Sequence, residues 1–296
     1  MRKSYFPEQG LWLKGNLHSH TTVSDGVLTP AEACAGYAAH GYDFLSMTDH
    51  NVFVPHEDEQ GGKLLVLTGV EHDLEYGSDK CTHIVGIGAA GRTETGYRCR
   101  KYSREELTDQ QYIDMMRGDG QFVALAHPVW SRMEPEEAAA LHGFHAIEVY
   151  NNGTENLCHA GHAEIYWDML LRRGQRVFAT ASDDTHELCD LYGGWICVKA
   201  AEKSREAILD ALFQGMFYAS SGPVIYDFGT DGDEVYITCS PCREIHMISY
   251  PPRGKSTFVP GQTEGTFKLT GREKYIRLEC IDRDGRAAWT NPIFFD

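Results

Sequence analysis

Positive charge is scarce in this sequence: 27 Lys and Arg stand against 43 Asp and Glu, a formal net charge of −16. Binders of nucleic-acid polymers or anionic membranes draw their affinity from basic patches, so neither kind of partner is expected. No apolar run approaches the ~18 residues of a transmembrane helix, and the opening Met1-Arg-Lys-Ser-Tyr-Phe-Pro7 lacks the apolar stretch of a secretory signal. Cysteine is scattered and odd in number, nine in 296 residues. A chain of this size can build a core without disulfide staples, so reduced, mostly buried thiols in a cytoplasmic protein are expected. Cys239-Ser-Pro-Cys242 is the lone CxxC. With no second pair and no helix pattern after it, it reads as a turn between strands sooner than as a zinc site or redox pair. There is no G-x-S-x-G elbow, and no short-period repeat or low-complexity stretch.

What the sequence does have is alternation of strand and helix signals over its first two hundred residues. Leu11 to His18 reads as a strand, and Thr29-Pro-Ala-Glu32 opens a helix with a cap, a proline at the first position and an early acid. Further strands are expected at Phe44 to Met47, Leu64 to Val70, Thr82 to Gly88, Phe122 to Ala126, Ala146 to Tyr150, Val177 to Ala181 and Trp195 to Val198. Ser103-Arg-Glu-Glu106 looks like a capping box, and helices are expected near 159–173 and 204–214. Such alternation predicts an α/β fold with a mostly parallel sheet, closed into a barrel. After Ser221-Gly-Pro223 the pattern changes to short alternating runs parted by Gly, Pro, Asp and Lys. Two domains are therefore expected, residues 1–221 and a small antiparallel, sandwich-like all-β domain over 222–296.

Polar residues capable of chemistry sit where the apolar runs end. His18 and His20 are two apart, so on a strand they share a face. Asp25, Asp49, His50, Glu71, His83, His127, Glu148 and the run Ser182-Asp183-Asp184-Thr-His186 follow at or near later strands. In a parallel barrel the carboxyl ends of all strands open onto one face, where these residues would converge. Imidazoles with carboxylates suit zinc, manganese or iron, and a carboxylate such as Glu71 can bridge two ions.

His18-Ser-His20, Ser24-Asp-Gly26, Thr48-Asp-His50, Glu71, His83, Ala126-His-Pro128 and Asp184-Thr-His186, in this order, resemble the motifs of the polymerase-and-histidinol-phosphatase (PHP) superfamily. The resemblance covers about residues 11 to 221 and implies a distorted (β/α)7 barrel that binds two or three divalent ions (Zn2+, Mn2+ or Fe2+) and mostly hydrolyses phosphate esters. The segments Tyr218-Ala-Ser-Ser-Gly-Pro223 and Gly285 to Pro292 are similar to a two-domain branch related to carbaryl hydrolases. By resemblance, His18, His20, Glu71 and Asp184 hold one ion, Glu71 bridges to a second completed by His83 and His127, and Asp25, His50 and His186 hold a third. Family members often have His where this chain has Asp25. Glu71, Asp184 and His186 are the residues assigned to catalysis, and Asp49 and Asp183 to orienting ligating imidazoles. Water activated between the ions would be the nucleophile.

Trp130 and Arg132, just after His127, suit a nucleotide-like anion, and Tyr150 and Asn151 end the Glu148 strand beside the expected pocket. Arg92, Arg98, Arg100, Lys101 and Arg104 form a basic stretch that reads as a solvated loop. His159 and His162 are expected on one exposed helix face, and His72 is expected to point away from Glu71's face. The leading expectation is a phosphoesterase acting on a small phosphorylated metabolite or nucleotide. A carboxyl-ester or carbamate hydrolase using the same centre, and a non-catalytic metal-binding module, are the alternatives. Oligomeric state is not legible from the sequence.

Overall fold

The structure is a computed structural model that describes residues 1–53, 63–76, 80–88, 97–98, 106–252 and 254–295. The basic stretch at 92–104 and the capping pattern at 103–105 fall outside these residues, apart from the backbone of Tyr97–Arg98, which pairs with Val52–Phe53.

The fold is mixed α/β, dominated by one large sheet. Its central strands run in the order Phe178–Ser182, Ala146–Asn151, Phe122–Leu125, Lys80–Ile87, Leu65–Tyr76, Phe44–Met47, Leu11–Asn16, Trp195–Ala200, Phe217–Ser220. The expected parallel character holds among Leu11–Asn16, Phe44–Met47 and Leu65–Tyr76, with the Pro30–Ala39 helix crossing between the first two. It fails at two places. Lys80–Ile87 runs antiparallel to both neighbours, because it returns directly from Leu65–Tyr76 with no crossover helix. Trp195–Ala200 is likewise antiparallel to Leu11–Asn16 and to Phe217–Ser220.

Helix starts follow their caps closely. Thr29 closes a reciprocal capping box with Glu32, and Pro30 opens the Pro30–Ala39 helix. Ser204 caps Arg205–Phe213. Of the segment expected as helix over 159–173, Glu164–Arg172 is helical, and a separate helix that the sequence did not suggest, Asn152–Cys158, precedes it. His159 stops this earlier helix in a left-handed conformation, and at Gly161 a Cβ would lie 2.5 Å from the Asn151 carbonyl oxygen. His159 and His162 thus do not share a helix face. No helix among the described residues is long and apolar enough to cross a membrane.

From Ile225 onward the described chain forms strands paired only antiparallel. One face is the sheet of Arg2–Ser4, Ile225–Asp231, Glu234–Cys242 and Gln262–Lys268. The other continues the large sheet, since Ala287–Thr290 pairs with Phe217–Ser220 and leads to Tyr275–Ile281 and Glu244–Tyr250. Phe6, Phe228, Ile237, Ile245, Ile276 and Leu278 fill the space between. The first residues of the chain therefore pack with the last seventy. Asn291 joins this region to the strand at the far end of the large sheet. Its Oδ1 accepts from Ala179 N at 3.0 Å while its Nδ2 donates to Gly215 O and Phe217 O, both at 3.0 Å.

Candidate metal centre

Six imidazoles and three carboxylates meet at one face of the large sheet. The Leu11–Asn16 strand ends before His18, but the Ser19–Thr185 bridge keeps the backbone extended, so His18 and His20 still project together. Their Nε2 atoms lie 3.2 Å apart. Glu71 extends from Leu65–Tyr76, buried, with His18 Nε2 at 3.3 Å, His83 Nδ1 at 2.9 Å and His127 Nε2 at 3.1 Å from Oε1. His20 Nε2 and His50 Nδ1 each stand 3.1 Å from Oε2. Asp184 Oδ1 is 3.1 Å from both His18 Nε2 and His20 Nε2. At the mouth, half-exposed Asp25 faces His20, His50 and His186 at 3.5–3.7 Å.

His83 reaches this face by a route the parallel-barrel argument did not contain. It lies near the start of the reversed Lys80–Ile87 strand, opposite Asp73, where the long Leu65–Tyr76 strand overhangs the site. Asp184 and His127 sit just beyond strand ends with positive φ, 49° and 20°. Gly153 accommodates Asp184, since a Cβ there would lie 2.6 Å from the Asp184 carbonyl oxygen.

The rings are aimed from behind. Glu148 accepts the Nδ1 proton of His18 at 2.9 Å. His20 Nδ1 meets Ser24 Oγ at 3.3 Å, and Ser24 Oγ in turn donates to Asp49 at 2.8 Å. His127 Nδ1 lies 3.1 Å from Ser131 Oγ, and His186 Nδ1 donates to the Asp184 carbonyl at 3.1 Å. In these four rings the Nε2 is thereby left to face the cluster. Of those aiming residues, Ser131 was not singled out from the sequence, and Glu148 was named only among the acids expected to converge, with no role assigned to it. Glu148 was visible only as an acid within an apolar strand, a placement that asks for a partner.

Asp49 bonds the Thr21–Ser24 turn and not an imidazole, so it acts on His20 only through Ser24. Asp183 does not orient a ring either. Its carboxylate accepts from Tyr37 OH at 2.7 Å and from the backbone N–H groups of Tyr192, Gly193 and Gly194, each at 2.8 Å. Burial still pushes it up to about 6. His72, as expected, turns away from Glu71's face and packs near Tyr112.

Electrostatically the cluster is a set of buried charges neutralising each other. Burial would raise Glu71 and Asp184, yet the surrounding imidazoles hold both well below the usual carboxylate range. Burial would depress His20 and His83, but the carboxylates outweigh it and raise them to about 9 and about 10. Three buried atoms at the centre, His50 Nδ1, Glu71 Oε2 and Asp184 Oδ1, make no well-aligned hydrogen bond, although an imidazole nitrogen or carboxylate oxygen stands 3.1 Å from each. Together with two Nε2 atoms facing each other at 3.2 Å, this donor set fits cations: ligand atoms of His18, His20, Glu71 and Asp184, of His50, Glu71 and His83, and of His20, Asp25, His50 and His186 each lie within 4.8 Å of one another.

A cavity of about 580 Å³ opens over the cluster. Trp130 forms part of its wall, its ring 4.9 Å from that of His127 and 5.4 Å from that of His83. Arg132, Tyr150 and Asn151 do not line it. Arg132 takes a left-handed backbone conformation that turns it to solvent. Tyr150 donates to Asn152 and stacks on Trp289, and Asn151 Nδ2 donates to Glu148 and Asp184 at 2.9 and 3.1 Å. Asn151 therefore holds the acids of the site in place.

Comparison with known proteins bears on the fold. No family model and no curated protein matches the sequence. Among solved structures, a two-domain protein from Bacteroides vulgatus containing a predicted PHP-like metal-dependent phosphoesterase superposes with a TM-score of 0.55 at 15% identity, over 99% of this chain and 98% of that one. The chain shares the fold of this PHP-like protein. Two further structures overlap it over a smaller part. A candidate metal-dependent phosphoesterase from Bifidobacterium adolescentis gives a TM-score of 0.42 at 16% identity, over 61% of this chain and 89% of that one. An amidohydrolase from Chromobacterium violaceum gives 0.41 at 20% identity, over 58% and 87%.

Proposed function

We propose that the protein is a metal-dependent phosphoesterase, hydrolysing a small phosphorylated metabolite or nucleotide with two or three divalent ions (Zn2+, Mn2+ or Fe2+) in the cluster. The observation that carries this reading is the convergence of ligand atoms at the meeting point of six imidazoles, where His50 Nδ1, Glu71 Oε2 and Asp184 Oδ1 make no well-aligned hydrogen bond. Such ions supply a water acidified toward neutral pH and neutralise charge on the attacked group. His18, His20, Glu71 and Asp184 would hold one ion, with Glu71 shared toward His83, His127 and His50. Asp25 and His186, together with His20 and His50, would hold the outermost one. Glu148, Ser24, Ser131 and the Asp184 carbonyl keep the rings in the tautomer that presents Nε2. Trp130 offers a flat apolar wall for the substrate body.

The same reading takes the curled large sheet as the distorted (β/α)7 barrel of the PHP type. It takes residues 1–221 as the catalytic unit and 222–296 as a β domain that shapes or assembles it, with Arg2–Ser4 and Phe6 lent to the latter. The PHP-like phosphoesterase character of the Bacteroides protein supports the phosphate assignment. One observation favours the carboxyl-ester or carbamate alternative: among the described residues, the cavity is lined by the imidazoles and acids of the cluster, further acids and a few neutral side chains, with no Lys or Arg.

The test is turnover of p-nitrophenyl phosphate against p-nitrophenyl acetate by protein reconstituted with Mn2+ or Zn2+. Chelator-sensitive phosphate cleavage exceeding ester cleavage is the expected result. Ester cleavage alone transfers the assignment to the carbonyl substrate, and metal binding without either activity reduces the protein to a metal-binding module.

A further inference from the structure

The CxxC at 239–242 has a third partner that sequence spacing does not reveal. Cys239 and Cys242 lie on Glu234–Cys242, while Cys280 lies on Tyr275–Ile281 in the facing sheet. Against the neighbouring strand, Thr238 pairs with Glu264 and Cys242 with Gln262, so Cys239-Ser-Pro-Cys242 bulges out of the ladder. Pro241 has no N–H to donate, which suits a break in pairing at this point. The bulge turns both sulfurs toward Cys280. All three cysteines are buried, and one ligand atom from each lies within 4.8 Å of the others. Cys239 Sγ is 3.8 Å from Cys242 Sγ, and Cys242 Sγ is 3.1 Å from the Ser240 carbonyl oxygen.

We propose that Cys239, Cys242 and Cys280 form a second metal site, independent of the His and carboxylate cluster, that takes a thiophilic d10 cation of the Zn2+ type. In a tetrahedral thiolate site with metal–sulfur bonds of about 2.3 Å, neighbouring sulfurs stand about 3.8 Å apart, the separation seen here between Cys239 and Cys242. The Ser240 carbonyl, which accepts the Cys242 thiol proton at 3.1 Å, would be the candidate fourth ligand. Loading is an exchange in which three thiol protons leave as one divalent ion enters, so the site ends with one net negative charge. A monovalent cation would leave two negative charges among Ile225, Phe228, Ile245 and Ile276, so burial favours the divalent ion. The bound ion would clamp together the two sheets of the C-terminal region.

The experiment uses the full chain, reduced, stripped of metal and titrated with Cd2+. The thiolate-to-cadmium charge-transfer band in the ultraviolet is silent to imidazoles and carboxylates. A band saturating at one equivalent, retained in Glu71→Ala and lost in Cys280→Ser, is expected. Absence of a band in the wild type overturns the proposal, as does a band unchanged in both Cys280→Ser and Cys242→Ser. Should Cys280→Ser fail to fold, Cys242→Ser on the bulge and X-ray absorption of the singly loaded Glu71→Ala protein decide the question. Sulfur neighbours at about 2.3 Å support the site. A shell of nitrogen and oxygen alone, or an air-formed Cys239–Cys242 disulfide that blocks no metal uptake, refutes it.

Discussion

The Nδ1 proton of His18 is held by the Glu148 carboxylate at 2.9 Å, on the side of the ring away from the cluster centre. The same carboxylate accepts from His127 N at 3.0 Å and from Asn151 Nδ2 at 2.9 Å, and the Ser182 hydroxyl also donates to it. One buried acid thus fixes the tautomer of the first ligating ring and the backbone of another. Glu148→Gln is expected to lower metal affinity about 10–100-fold while the protein stays folded. Metal content after equilibration against a graded chelator checks this, and unchanged affinity would remove Glu148 from the site.

Glu71 is fully buried and touches His18, His20, His50, His83 and His127. Glu71→Ala and His127→Ala are each expected to abolish turnover and lower bound metal, with circular dichroism unaltered. Full activity in both variants contradicts the assignment of the centre.

Acid should empty the centre, because imidazoles with an ordinary pKa near ~6.5 protonate and release the ions below about pH 6. Without metal, His20 and His83 are raised to about 9 and about 10. A raised folded-state value stabilises the metal-free fold fully below the ordinary imidazole value, and the contribution is lost as pH rises through about 9–10. Metal affinity moves the other way, since each ion must displace those protons. The difference in Tm between metal-loaded and metal-free protein should therefore widen from about pH 6 to pH 10. Differential scanning fluorimetry measures it, and a constant difference would mean that the imidazoles are not the ligands.

Gly153 has no room for a side chain, with the Asp184 carbonyl 2.6 Å and the Asp183 carbonyl 3.0 Å from where a Cβ would sit. Gly153→Ala is expected to cost about 1–3 kcal/mol of stability and to lower metal content by displacing Asp184. Normal metal content in a destabilised variant would show that Asp184 tolerates the shift.

Trp130 and Arg132 should separate cleanly. Trp130 walls the cavity, whereas Arg132 faces solvent. Trp130→Ala is expected to raise KM, and Arg132→Ala to leave kcat and KM unchanged with stability within ~0.5 kcal/mol. Steady-state kinetics on whichever of the two p-nitrophenyl substrates the protein turns over decides both.

Most of the residues proposed to hold ions were legible in the sequence because they stand at or near an apolar run, whereas Asp25 and His186 were marked by the family resemblance, and runs of strand length parted by caps mark where a sheet's ends must be. Thr29 and Ser204 named their own helix starts for the same local reason. Purely local signals could not reveal direction or distant partnership. The hairpin that reverses Lys80–Ile87 depends on pairing across the sheet, and it brings His83 in from the opposite strand end. Glu148, Ser131 and Asn151 became parts of the centre only through contacts made at a distance, while Arg132 and Tyr150 left it through a left-handed turn and a hydrogen bond to Asn152. Local chemistry determined which side chains could bind. Long-range pairing, which alone sets where chain segments far apart in sequence meet, decided which of them converge and who holds them there.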